Sequence, residues 1–158
     1  MSTTTTIPSA TTGASKKVTI SKILVAIDGS DESMDAADYA ISISKKYNAE
    51  LYALHVIRAD VDLFGPHETS EFMTRMRNEG EKFLNKAKLN ANEKNIQIKT
   101  EIISSINIAA GIVDYAEENN IDLIVIGTRG RSGFKKLLLG SVASYVITYA
   151  HCAVLVVK

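Results

Sequence analysis

A chain of 158 residues, 46% hydrophobic and 23% charged, has the composition of an ordinary globular protein with room for one core. Eighteen Lys and Arg balance 18 Asp and Glu, which excludes the overall basic footprint of a nucleic-acid binder. One cysteine, Cys152, excludes an internal disulfide, and no apolar run approaches the ~20 residues that span a bilayer.

Residues 1–17, MSTTTTIPSATTGASKK, offer almost nothing to bury. Such a segment cannot offset its ordering entropy, so the chain divides into a disordered Ser/Thr-rich tail over 1–19 and one domain over 20–158. The tail has neither the apolar core of a secretory signal nor the Arg content of a transit peptide, and a cytoplasmic protein is expected.

Residues 22–28, KILVAID, form a near-continuous apolar run that ends on a polar residue, as in a central parallel strand covered on both faces. Gly29 and Ser30 make the turn. Ser30 is the expected N-cap of a helix with Asp31 and Glu32 in its first turn and Ala36, Ala40, Ile43 and Tyr47 on its inner face. Residues 51–57 read as a second strand, and 58–69 as a loop broken by Gly65 and Pro66. A longer helix is predicted from Ser70, with Phe72, Met76, Phe83 and Ala87 on one side. Gly80 should weaken it by up to about 1 kcal/mol relative to Ala. Its end is expected near Lys94 and Asn95. Residues 96–103 alternate apolar and polar, the pattern of a half-exposed edge strand. A helix follows over 109–118 with Ile112, Val113 and Ala116 inward.

The stretch 121–151 is richer. A short apolar run at 123–126 reads as a strand, and Gly127 ends it. Gly130, Gly133 and Gly140 then punctuate a loop that carries Arg129, Arg131, Lys135 and Lys136. A helix begins at Ser141, with Val142, Ala143, Val146, Ile147 and Ala150 near helical spacing. Strand, glycine-rich loop and helix N-terminus are the parts of an anion site: glycines admit backbone N–H groups to a phosphate, and the first helical turn supplies unpaired donors. The connection is also longer than the ~2–6 residues usual in α/β units. It is not a Walker A motif, because no Gly-Lys-Ser/Thr follows at the required spacing, and no GxGxxG fingerprint occurs. Residues 153–157 complete the chain as an apolar strand.

The alternation βαβαβαβαβ predicts a doubly wound parallel α/β sheet with helices on both faces. Such sheets bind ligands beyond the carboxyl ends of the strands where strand order reverses. Asp28 and Gly127 stand at two such ends. A carboxylate at Asp28 could accept ribose hydroxyls, hold Mg2+ through water, or simply cap a helix.

The spacing Gly127-x2-Gly130-x9-Gly140-Ser141 resembles the nucleotide-binding signature of the universal stress protein family, in its ATP-binding branch. KILVAIDGS at 22–30, LHVI at 54–57 and HCAVLVVK at 151–158 agree in order and position, so the resemblance spans 22–158. It implies a five-stranded sheet in the order 3-2-1-4-5 and a bound adenine nucleotide: ATP, AMP or a relative, with Mg2+ as a companion ion. It implies ribose contact at Asp28, an adenine contact through the backbone of Val56, and Gly127 and Gly130 along ribose and phosphate. Gly140, Ser141 and Val142 would hold phosphate, and Ala26 belongs to the same site. Many members carry Pro at the position of Ala26, and most carry Cys-Pro where this chain has Cys152-Ala153.

Ser141 reads equally as a plain N-cap. Arg129 and Arg131 read as solvated loop charges or phosphate-side groups, and His55 as a packed strand residue. His67 and His151 lack acidic or Cys partners at metal spacing, and Cys152 reads as a small buried hydrophobe. The apolar last strand ends the chain at a sheet edge, which predicts a homodimer joined along 153–157; the resemblance implies the same. The leading functional expectation is a regulatory stress-response module that holds an adenine nucleotide. The alternative is a slow ATPase or nucleotidyl-transfer enzyme using the same cradle, although neither HIGH nor SGGxDS occurs.

Overall fold

Five strands pair side by side in the computed structural model, which describes residues 18–59, 66–130 and 139–158. They are β1 (Lys22–Ala26), β2 (Glu50–Arg58), β3 (Ile98–Ser105), β4 (Leu123–Gly127) and β5 (Ala153–Val157). All neighbours are parallel, in the order β3-β2-β1-β4-β5. The helices are α1 (Asp31–Tyr47), α2 (Pro66–Glu93), α3 (Ile108–Glu118) and α4 (Ser141–Tyr149). The order reverses between β1 and β4, where Ile23 faces Leu123 and Val25 faces Val125. Both strands are central, which is why Ile23, Leu24, Val25, Ile124 and Val125 are fully buried and why neither strand alternates in polarity.

Two apolar layers enclose the sheet. One joins the Ile23, Val25 and Val125 face to Ala37, Ala40 and Ile41 of α1 and Leu84, Ala87 and Ala91 of α2. The other joins the Leu24, Leu54 and Ile124 face to Ile112 and Ala116 of α3 and Ala143 and Val146 of α4. Caps explain the helix ends. Ser30 caps α1 by accepting from the Ser33 N–H, and Asn107 caps α3 by accepting from Ala109 and Ala110. Asn48 (φ 53°) and Asn95 (φ 59°) leave α1 and α2 through left-handed backbone.

Several boundaries differ from the expected ones. β1 stops at Ala26, two residues early, because the chain turns through Gly29 at φ 85°; Ile27 still donates to Leu54 O at 2.9 Å. α2 starts at Pro66 rather than Ser70, since proline suits the first helical turn, where its missing N–H costs nothing. β3 starts at Ile98 because the Ile96 N–H is spent on Ala91 O, closing the end of α2. Tyr47 and Ile147, expected inward, are 53% and 46% exposed; both lie in the last turn of their helices. Residues 1–17 of the tail expected over 1–19, and residues 60–65 of the expected 58–69 loop, lie outside the described residues.

A candidate nucleotide site at the strand-order reversal

A cavity of about 370 Å³ opens beyond the carboxyl ends of β1, β2 and β4. That volume lies in the range of small-molecule sites, ~300–1,000 Å³. Its lining includes Ala26, Asp28, Val56, Gly127, Gly130, Gly140, Ser141 and Val142. These are the eight residues expected from the sequence, drawn from four separate segments. Arg129 and His55 line it as well. Arg131, Gly133, Lys135 and Lys136 lie outside the described residues, as does the side chain of His67.

Asp28 stands where β1 turns into α1. Its Oδ1 accepts from the Ser30 N–H at 3.0 Å and from the Ser30 hydroxyl, while the Ser33 hydroxyl accepts from the Asp28 N–H at 3.4 Å. Those bonds hold the carboxylate against Ser30, the residue that caps α1, so Asp28 is not itself the helix cap. Oδ2 turns toward the glycine loop: a Cβ built on Gly130 would lie 2.6 Å from it. Gly29 alone among the described glycines has positive φ. The requirement at 130 is close approach to a carboxylate, not unusual dihedrals.

Gly127 and Gly140 are glycines for packing reasons too. A Cβ on Gly127 would stand 2.9 Å from the Glu32 carbonyl carbon, and one on Gly140 would stand 3.1 Å from Thr128 O. The second contact accompanies a bond that closes the base of the loop, with the Gly140 N–H donating to Thr128 O at 2.7 Å. The Thr128 N–H in turn donates to Val157 O at 2.7 Å, tying the loop to β5. Arg129 is exposed, as a loop charge would be, and its guanidinium reaches Glu32 at 3.5 Å.

The N-cap of α4 is Gly140 and not Ser141, because Gly140 carries the extended backbone (φ −71°, ψ 160°) that a cap requires. Gly140 has no side chain to make a cap bond. The first-turn N–H groups at Ser141, Val142 and Ala143, which a helix cannot satisfy internally, therefore lack a side-chain cap where α4 meets the cavity. Donors, the helix dipole and a hydroxyl converge there on any anion.

Away from α4 the lining is mostly apolar, from Val56, Ile108 and Ile112 with Phe72 and Met76 of α2, and it also includes Arg58 and Glu79. Sequence reasoning missed this α2 contribution. The stripe at helical spacing was visible, but spacing alone does not say what it faces. His55 is 8% exposed; its Nδ1–H donates to Ile27 O at 2.7 Å and its ring meets Phe83 edge-on at 5.7 Å, as expected of a packed histidine. Cys152 is half-buried rather than buried, and desolvation pushes its thiol pKa up, away from the thiolate. His151 Nε2 lies 3.1 Å from Ile121 O.

The sequence model of the universal stress protein family matches residues 19–158. A universal stress protein of Methanocaldococcus jannaschii is 44% identical over 139 residues, covering 87% of this chain and 81% of that protein. Among solved structures, universal stress protein UspA from Lactobacillus plantarum superposes with a TM-score of 0.82 at 29% identity, over 90% of this chain and 100% of that one. More distant structures, at 24%, 19% and 17% identity and TM-scores of 0.69, 0.64 and 0.64, share the fold. They hold cAMP, dAMP (from Archaeoglobus fulgidus) and AMP (from Arabidopsis thaliana), respectively.

Proposed function

The chain belongs to the universal stress protein family, and on that premise we propose that it is a cytoplasmic regulatory module of the stress response that binds an adenine nucleotide, ATP foremost. The observation that carries this reading is the convergence of Asp28, Val56, Gly127, Gly130, Gly140, Ser141 and Val142, distant in sequence, on one cavity beside the uncapped start of α4. The base lies against Val56 and the apolar end, the ribose hydroxyls donate to Asp28, and the phosphates take N–H groups from the first turn of α4 and the Ser141 hydroxyl. Mg2+ accompanies a triphosphate through its own oxygens and water. The adenine nucleotides held by distant members of the fold support the ligand class. The phosphate end is built of backbone donors, which favours holding over rapid hydrolysis.

The reading extends to a homodimer along β5. The two sheet edges differ: β3 carries Lys99 and Glu101, with Lys99 paired to Glu50 at 2.7 Å, whereas β5 reads AVLVV with no charge. Charged edges resist pairing and uncharged ones invite it.

The test is calorimetry of the purified full chain with ATP and AMP, together with mass spectrometry of any nucleotide released on denaturation. Binding by the wild type is expected, and Asp28→Ala should cost roughly 1.5–3 kcal/mol, the worth of a hydrogen bond to a charged group. Absence of any bound or bindable adenine nucleotide would overturn the reading.

A further inference from the structure

Helix α2 divides at Gly80. Beyond it, Leu84, Ala87 and Ala91 are buried in the core. Before it, none of residues 70–79 is buried; Phe72, Met73, Met76 and Glu79 are half-buried and the others exposed. Gly80 marks the division because the His55 ring of β2 fills the place of its Cβ, so α2 touches β2 closely there and rises past the sheet. With Ser70, Thr74 and Asn78 in this half and Gly80 at its root, helix propensity holds it only weakly. Yet Phe72, Met76 and Glu79, spaced i, i+4 and i+7, all line the nucleotide cavity.

Resting on the nucleotide reading above, we propose that residues 70–79 of α2 are the base-side wall of the cavity. Phe72 and Met76 close over the face of the nucleobase, and an occupied site holds this half of the helix in place. Three observations select the base as occupant rather than the phosphates. The wall rises from Gly80, which meets the His55 ring of β2, while the phosphate end stands over β4, two strands from β2, or about 10 Å at normal strand spacing. Two of the three wall side chains are apolar, as are Ile108 and Ile112 across the cavity. Glu79 and Arg58, which both line the cavity, bring one charge of each sign and so together give phosphate no net attraction. A flat, neutral, polarizable ring suits a phenyl and a thioether better than a solvated anion does.

Hydrogen exchange and calorimetry on the full chain test this with AMP, adenosine and inorganic tripolyphosphate as probes. AMP and adenosine should each slow exchange across 70–79, and tripolyphosphate should not. The Phe72→Ala/Met76→Ala variant should bind AMP and adenosine roughly tenfold more weakly or worse, as expected for lost packing against a base. AMP binding that leaves exchange at 70–79 unchanged, equal protection by tripolyphosphate, or full affinity in the double variant would overturn the wall while leaving the nucleotide reading intact. No AMP binding by the wild type would remove both.

Discussion

Oδ2 of Asp28 occupies the space a side chain at position 130 would need: a Cβ there would come within 2.6 Å of it. One residue follows β1 and the other follows β4, so the contact spans the reversal of strand order, and both residues line the cavity. Gly130→Val should displace this carboxylate and narrow the approach to the phosphate end. Losing a charged hydrogen bond alone is worth ~1.5–3 kcal/mol, which corresponds to roughly 10- to 150-fold in affinity. The fold should survive, because position 130 lies outside β4 and α4. Calorimetry with ATP and a thermal melt check both halves; unchanged affinity in a folded variant would mean the loop is not the cradle.

The sheet, and most of the residues that line the cavity, were legible for a physical reason. Central parallel strands must be apolar on both faces, so KILVA and LIVI announce themselves, and βα alternation leaves few topologies. Glycines at 127, 130 and 140 point correctly to close approach but not to what approaches. The neighbours are Glu32, Asp28 and Thr128, all remote in sequence or fixed by tertiary packing. Gly80 illustrates the same limit. As a sequence feature it weakens a helix; in the fold it admits the His55 ring. The wall formed by Phe72 and Met76 was hidden because a helical stripe has the same spacing whether it meets a core or a cavity. The shift of the α4 cap from Ser141 to Gly140 depends on backbone dihedrals that spacing does not encode.

Tyr115 gives the chain an alkaline limit. It is 8% exposed and its hydroxyl donates to Glu101 Oε2 at 2.8 Å. Burial first, then the Glu101 bond and charge, raise its pKa above the ordinary phenol value of about 10. The folded chain therefore keeps a proton that the unfolded chain releases, so this contribution is complete below about pH 10 and is lost as pH rises beyond it. Tyr115→Phe should cost about 1 kcal/mol at neutral pH through the lost hydrogen bond. It should also flatten the decline above pH 10. Urea midpoints for both chains at about pH 8 and pH 11 make the comparison; identical declines would show that Tyr115 does not set it.

The β5 edge yields a prediction that separates assembly from ligand binding. In a parallel strand the N–H and C=O of one residue point to the same side, and the sides alternate along the chain. Val157 O accepts from the Thr128 N–H, so Val157, Leu155 and Ala153 face β4. Val154 and Val156 therefore turn their backbone groups outward, away from the sheet. Proline at 156 removes an outward N–H and leaves the ladder to β4 intact, which is why proline is tolerated on edges and not in sheet interiors. If two copies join edge to edge, Val156→Pro should convert a dimer to a monomer at micromolar concentration while the chain stays folded. Light scattering reads the mass, and calorimetry with AMP checks the cavity, whose lining does not include Val156. A wild type that is already monomeric, or a variant that remains dimeric, would remove β5 as the interface. Loss of nucleotide affinity together with the dimer would instead point to the bond between Thr128 and Val157 as the link through which the edge and the phosphate loop act on each other.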